Sequence, residues 1–341
     1  ALNYVFFHME LRRWYCHHVA DDLFASLERK RQRMNCTSAF MHIPSHALGA
    51  CVLAGVERDT RGCVLGEAER FNYFPATPMA VISWIFEGTL HWVEERGAGT
   101  QATLGPALPR LIFSGPQRRP SASWSPGAVH ALSVGFYPEA LSRLIGQPME
   151  AFLDQHLPLY TVAPLPLLHA CQAIIDAGCD DPFATLEAHF QPLWREPGQA
   201  SPTLYLGDWV RSLVTRAAHS TAGQSLRQLQ RRVRDWTGQS YRDLQLFIRV
   251  EEAFIHRIEG HDSSAPDLAA IAADAGFADQ SHMGREIRRV TGMSPARFGE
   301  RLMNDEAFWY YRLIAGELGR HPVVRTSPMP QDTTCLLYTS R

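Results

Sequence analysis

The sequence predicts an α+β multidomain chain: a mostly-β N-terminal barrel or sandwich, then an all-α C-terminal domain with two helix-turn-helix units. Three observations predict it. Residues 41–137 hold short runs of branched and aromatic residues separated by Gly and Pro. Many short strands between turn signals mark a sandwich or barrel. From Tyr205 onward, apolar residues recur at the three- and four-residue steps of a helix. Within that helical part, residues 231–240 and 285–294 are imperfect copies 54 residues apart, and a fixed offset means one structural unit used twice.

Residues 1–40 begin without methionine and mix aromatics, histidines and a basic run around Lys30 with no clean apolar face. They are expected to be a non-native N-terminal extension, the true start lying near Met34 or Met41. A β-rich sensing or dimerisation domain is expected over 41–196, with strands at 51–58, 79–86, 111–113 and 128–136. Its end turns helical at Pro138, where proline fits the first turn and Gly146 stops it. Leu168, Cys171, Ile174 and Ile175 continue the helical spacing. Residues 195–203 are polar and rich in breakers, which makes them the linker. The C-terminal domain is expected over 204–318. Its long segment 241–258 carries Leu244, Phe247, Val250, Phe254 and Ile258 on one stripe and would connect the two copies. Residues 319–341 lose all pattern, and the last seven resemble a translated sequencing adapter, so a disordered tail is expected.

Each copy reads as a short basic helix behind a tight turn. In the second, Leu268, Ile271 and Ala272 give one apolar face to a helix starting near Pro266. Gly276 supplies the turn, since glycine alone takes positive φ without strain. Asp279 or Ser281 caps the next helix, which runs from Gln280 to Val290, buries Met283 and Ile287, and exposes Gln280, Ser281, Gly284, Arg285 and Arg288. In the first, Val214, Ala217 and Ala218 stand for the apolar face, Ala222-Gly223 for the turn and Ser225 for the cap. Its helix buries Leu229 and Val233 and exposes Arg227, Gln230, Arg231 and Arg234. Gln and Arg are the side chains that hold adenine and guanine edges with two hydrogen bonds each.

The net charge of −2 is wrong for a uniformly basic nucleic-acid binder, but distribution matters more than the sum. From Ser225 to Arg234 there are four arginines and no acid. Lys30 is the sole lysine, so positive charge is almost all guanidinium, a planar fork suited to phosphate and guanine. The seven cysteines include no CxxC pair, which argues against a zinc knuckle or redox motif and fits a reducing compartment. No apolar run approaches the ~18 residues of a membrane span.

Residues 268–298 resemble the signature of the AraC/XylS family of bacterial transcription regulators, and the likeness extends over roughly 205–315. The resemblance implies seven helices, two helix-turn-helix units and a central linking helix, with each recognition helix entering the major groove of double-stranded DNA. It implies base reading by Arg227, Gln230 and Arg231 in the first unit and by Gln280, Ser281 and Arg285 in the second, with Arg234 and Arg288 on the same faces. Gly284 departs from the pattern, where a larger polar side chain is common. A nucleoid-associated, cytoplasmic regulator follows from the same likeness, with RNA polymerase and a second copy of the chain as further candidate partners.

Residues 58–78 have the look of the N-terminal domains on some of these regulators, which in the sugar sensors are cupin-like barrels. Such a domain implies a small-molecule effector or a dimer contact. Among its aromatics Trp84, Phe86, Trp92 and Trp124 are the candidate effector-binding residues. No cofactor or metal is expected: His42 and His46 have the spacing of a helical ligand pair, but Pro44 between them breaks the helix. No nucleophile elbow, Walker loop or dinucleotide fingerprint appears, so an enzyme is not expected. The alternative reading is a helical protein-interaction module fused to a small-molecule-binding β-barrel, without DNA binding.

Overall fold

The computed structural model describes residues 37–95, 103–178, 180–195, 203–219, 225–259 and 268–320. Most of the expected extension, the linker centre and nearly all of the tail lie outside them. The described strands form two antiparallel sheets. The larger runs β1 (Ser38–His42), β2 (Val52–Asp59), β9 (His130–Phe136), β4 (Ala80–Glu87), β7 (Leu111–Ser114), β10 (His156–Pro158). The smaller runs β3 (Phe71–Phe74), β8 (Ser121–Trp124), β5 (His91–Glu95), β6 (Thr103–Ala107). Strand β1 begins inside the stretch assigned to the extension, and pairs Met41 with Val56.

Strand parity sorts the two faces of the larger sheet. On β9, His130, Leu132, Val134 and Phe136 share one buried face, while Ala131, Ser133 and Gly135 take the other. Register places Ile82 beside Val134 and Trp84 beside Leu132. This large-residue face is covered by α1 (Pro138–Ile145), α2 (Leu165–Ala177) and α3 (Pro182–Phe190), which share its core. The Trp84 indole donates to the Cys171 carbonyl at 3.0 Å. The small-residue face turns toward the helical domain. At the far edge Trp92 of β5 lies on His156 of β10, ring centres 4.1 Å apart, so the smaller sheet meets the larger there.

Seven helices follow among the described residues: α4 (Leu206–His219), α5 (Leu226–Thr237), α6 (Tyr241–Glu259), α7 (Leu268–Asp274), α8 (Gln280–Thr291), α9 (Pro295–Asn304) and α10 (Trp309–Arg320). Helix α6 is the expected connector. It buries Leu244, Phe247 and Val250, with Phe254 half-buried. Its Glu251 carboxylate accepts from the backbone N–H of Leu206 at 2.9 Å and so satisfies an orphan donor at the start of α4. Burial there pushes the Glu251 pKa up to about 8.

The two domains share buried contacts. Helix α10 touches β1 of one sheet and β3 of the other. Its Trp309 donates to Asn72 of β3 at 2.8 Å and lies under the Arg58 guanidinium. Arg58 of β2 pairs with Glu306 at 2.5 Å, and Glu306 also pairs with Arg312 of α10 at 2.7 Å. The side chains of Arg58 and Glu306 are 7% and 4% exposed, so this is a buried ionic triad across the domain boundary. Burial pulls the Arg58 pKa down, and the Glu306 carboxylate opposes it. No described helix is long and apolar enough to cross a membrane.

Two predictions follow from these buried charges. Arg58→Met strips Glu306 of a buried partner and is expected to cost about 3 kcal/mol in denaturant unfolding, with Arg58→Met/Glu306→Met recovering part of the loss. Glu251 keeps its proton longer folded than unfolded. That contribution is complete below about pH 4.5 and is lost as pH rises through about 8. Unfolding measured across this window should show wild type weakening with rising pH relative to Glu251→Gln. Parallel curves would refute the assignment.

Candidate nucleic-acid interface

The internal repeat is a repeat of hydrogen bonds. Thr237 donates its hydroxyl to the Val233 carbonyl at 2.8 Å, and Thr291 does the same to Ile287 at 2.8 Å. The backbone N–H of Gln239 returns to Thr237 Oγ1 at 3.1 Å, and that of Met293 to Thr291 Oγ1 at 3.2 Å. Gly238 and Gly292 end their helices in the left-handed region, at φ 74° and 78°. Each N–H closes on the carbonyl four residues back. The threonine–glycine stop is therefore one local circuit built twice, which is why it is visible in the letters.

The starts are equally explicit. Ser225 accepts from the Gln228 N–H while Gln228 reaches back to the Ser225 N–H, a reciprocal cap. Asp279 accepts from the His282 N–H at 2.6 Å. The turn before α8 uses Gly276 at φ 73°, with Ala272, Ala275 and Phe277 buried around it. The first turn, Ala222-Gly223, and the start at Pro266 lie outside the described residues. One expectation needs correcting: Ala218 is exposed and Ala217 is the buried residue. The first unit has one more residue between helix and cap than the second, so the pattern shifts by one position.

Helix α5 buries Leu229 and Val233; α8 buries Met283, Ile287 and Val290. On the opposite faces Arg227, Gln230, Arg231, Gln280, Ser281, Arg285 and Arg288 are exposed. Arg227, Arg231, Arg285 and Arg288 have no ion-pair partner among the described residues. Arginines on the flanks are engaged: Arg232 donates to the Ala217 carbonyl and Arg289 pairs with Asp243 at 3.3 Å. The stripe on each helix is thus cleared of internal carboxylates while its borders are tied down.

Arg234 is exposed like its neighbours but has an acidic partner. Its guanidinium binds Glu150 of the short 3₁₀ turn Met149–Phe152 at 2.6 Å, and that carboxylate raises its pKa. Both side chains are more than half exposed, so the pair is weak enough to exchange for a phosphate contact. Nothing in the local sequence signals Glu150, which lies 84 residues away in the other domain. At the same place a Cβ on Gly238 would meet the Glu150 backbone at 2.6 Å, so this cap also admits the β domain closely.

The candidate effector aromatics Trp84, Phe86, Trp92 and Trp124 lie apart from the cavity described below. Trp84 is fully buried and Phe86 packs on His130, both on the large-residue face. Trp92 stacks on His156, and Trp124 lies near His91. A cavity among the described residues lies on the small-residue face, between sheet and helices, and none of the four lines it. Among the described residues no group of three or more His, Cys, Asp or Glu is placed to hold a metal ion.

A family model described as a helix-turn-helix domain matches residues 220–301. Another, described as a domain of unknown function (DUF6597), matches residues 72–158. No curated protein matches. Similar solved structures include ToxT from Vibrio cholerae O395, 10% identical over 79% of this chain and 98% of that one, with TM-score 0.31. Unsaturated fatty acid bound wild-type ToxT from Vibrio cholerae strain SCE256 is 12% identical over 67% of this chain and 93% of that one, with TM-score 0.30.

Gly284 occupies the place in α8 that Gln230 holds in α5. A Cβ there would meet only Pro295 Cδ at 4.0 Å. Gly284→Ala is therefore expected to stabilise the free protein by about 0.5–1 kcal/mol in thermal or denaturant unfolding. A loss of stability would mean that the helix needs glycine for its own packing.

Proposed function

We propose that the helix-turn-helix domain matched over residues 220–301 is of the AraC/XylS type and that the protein is a sequence-specific, double-stranded-DNA-binding transcription regulator. The observation that carries this reading is the pair of similarly built helices, each with an exposed stripe of Arg and Gln or Ser on which Arg227, Arg231, Arg285 and Arg288 have no acidic partner among the described residues. Arginine on phosphate supplies salt-dependent affinity, while Arg and Gln on base edges supply sequence. Arg231 and Arg285 are equivalent in the repeat and are the best placed to read guanine. In this reading Arg227, Gln230, Gln280, Ser281 and Arg288 complete the two surfaces, and the β domain controls them through an effector or a second copy of the chain.

Selection from a random DNA pool tests the reading, and a protein-interaction module would enrich nothing. On the selected site Arg231→Ala and Arg285→Ala are each expected to lose about 1–3 kcal/mol, with far smaller losses on random DNA. Equal losses on both would mark them as phosphate contacts. Glu150→Gln frees Arg234 and should steepen the salt dependence of binding by about one phosphate contact, a slope change near ~0.9. An unchanged slope would show that Arg234 does not reach DNA.

A further inference from the structure

A cavity of about 210 Å³ lies between the small-residue face of the larger sheet and the helical domain. It is roomier than the ~150 Å³ apolar cavity known to take up benzene. Val56, Val81 and Gly135 form its sheet side, Phe247 of α6 and Ile314 of α10 its helical side. No lysine, arginine or histidine is among its wall residues; the ionisable carboxyls there are Glu251 and Glu317. The Tyr311 hydroxyl, on a wall residue, is buried with no hydrogen-bond partner among the described residues. Apolar walls with carboxylates and no cation disfavour an anion and favour a cation with a hydrophobic body.

The wall also includes the loop of residues 75–79, and that loop holds the ends of both recognition helices. The Ala76 N–H donates to the Val290 carbonyl of α8 at 2.8 Å. Gln239, just past α5, donates its side-chain amide to the Pro78 carbonyl at 2.9 Å. A molecule in the cavity therefore presses on the one segment that bridges the two units.

We infer that this cavity binds a small hydrophobic amine, its body on the apolar walls and its ammonium on Glu251, and that occupancy sets how the two recognition helices lie relative to each other. The first half stands on the cavity alone; the second rests on the DNA-binding reading above. Asp208 of α4 and Glu252 of α6 add negative charge beside Glu251, and a cation relieves that repulsion. Since Glu251 is raised to about 8, an ammonium must draw its proton off, and affinity rises with pH until the amine itself deprotonates.

The test uses the full chain, calorimetry and three probes of one shape: phenethylamine, phenethyl alcohol and phenylpropanoate. Phenethylamine is expected to bind at least tenfold tighter than phenylpropanoate, and at least fivefold tighter at about pH 8.5 than at about pH 6.5, with the alcohol insensitive to pH. A Cβ at Gly135 would find its nearest neighbour at 3.8 Å, so Gly135→Leu fills the cavity from the sheet side and should abolish binding. Gly135→Val serves if the leucine variant fails to melt cooperatively. Glu251→Gln should remove the preference for amine over alcohol. Equal binding of the carboxylate, undiminished binding in the filled variant, or no binding of any probe overturns the site. In parallel, bound phenethylamine should change wild-type affinity for the selected DNA at least threefold and leave the filled variant unaffected. A bound amine without that change overturns the coupling. Loss of DNA binding altogether sinks the regulator reading and leaves the amine site standing.

Discussion

Both recognition helices end on the same five residues of the β domain. Val290 receives the Ala76 N–H, and Gln239 gives its amide to Pro78, two residues from that first contact. The loop itself is stiff. Thr77 exchanges both backbone hydrogen bonds with Gln117, and its hydroxyl accepts from the Met79 N–H at 3.2 Å. Gln239 is almost fully buried, so its bond to Pro78 cannot be traded for water without leaving a desolvated amide. Each bond is worth only about 1 kcal/mol net. Their importance is geometric, because the two repeated helices are held through a single short segment of another domain.

The ionic triad of Arg58, Glu306 and Arg312 fixes the same docking from the other side. A buried pair of charges is weak evidence for stability, since desolvation can cancel its attraction. What it does supply is discrimination. Any slippage of α10 along the sheets leaves a charge in apolar surroundings, whereas a purely apolar contact would tolerate sliding. Trp309 sharpens this, because its indole must reach Asn72 while its face stays under Arg58. The helical domain is therefore seated on the β domain in one position, and a change in that seating must break several contacts together. Such cooperativity makes a two-position switch more natural than a graded one.

What the sequence disclosed was local. The paired stops at Thr237-Gly238 and Thr291-Gly292 and the caps at Ser225 and Asp279 arise from contacts within four residues, and the stripe on α6 shows in its own spacing. What it hid was nonlocal. Arg234 looks like its neighbours in the letters, and only the fold brings Glu150 against it. Trp84 and Phe86 look like pocket residues until parity puts them on the helix-covered face with Leu132 and Phe136. The cavity did leave a trace: β9 alternates large residues with Ala131, Ser133 and Gly135, and a face of small residues leaves room. That trace lies in what is missing from one face rather than in any conspicuous side chain.

The two units are equal in backbone and unequal in surface. Helix α5 carries Gln230 between Arg227 and Arg231, while the equivalent place on α8 is Gly284, with Ser281 and Arg285 around it. Under the proposed DNA-binding reading, a glycine on that side would let a base edge or phosphate come close to the backbone of α8 where α5 offers a side chain. Arg234 adds a second asymmetry, since Glu150 occupies it while its counterpart Arg288 has no such partner among the described residues. The first unit is thereby more strongly coupled to the β domain, through Glu150, Gly238 and Gln239 together. The second unit is held to the same loop at Val290, so its link to the β domain runs through fewer contacts than that of the first.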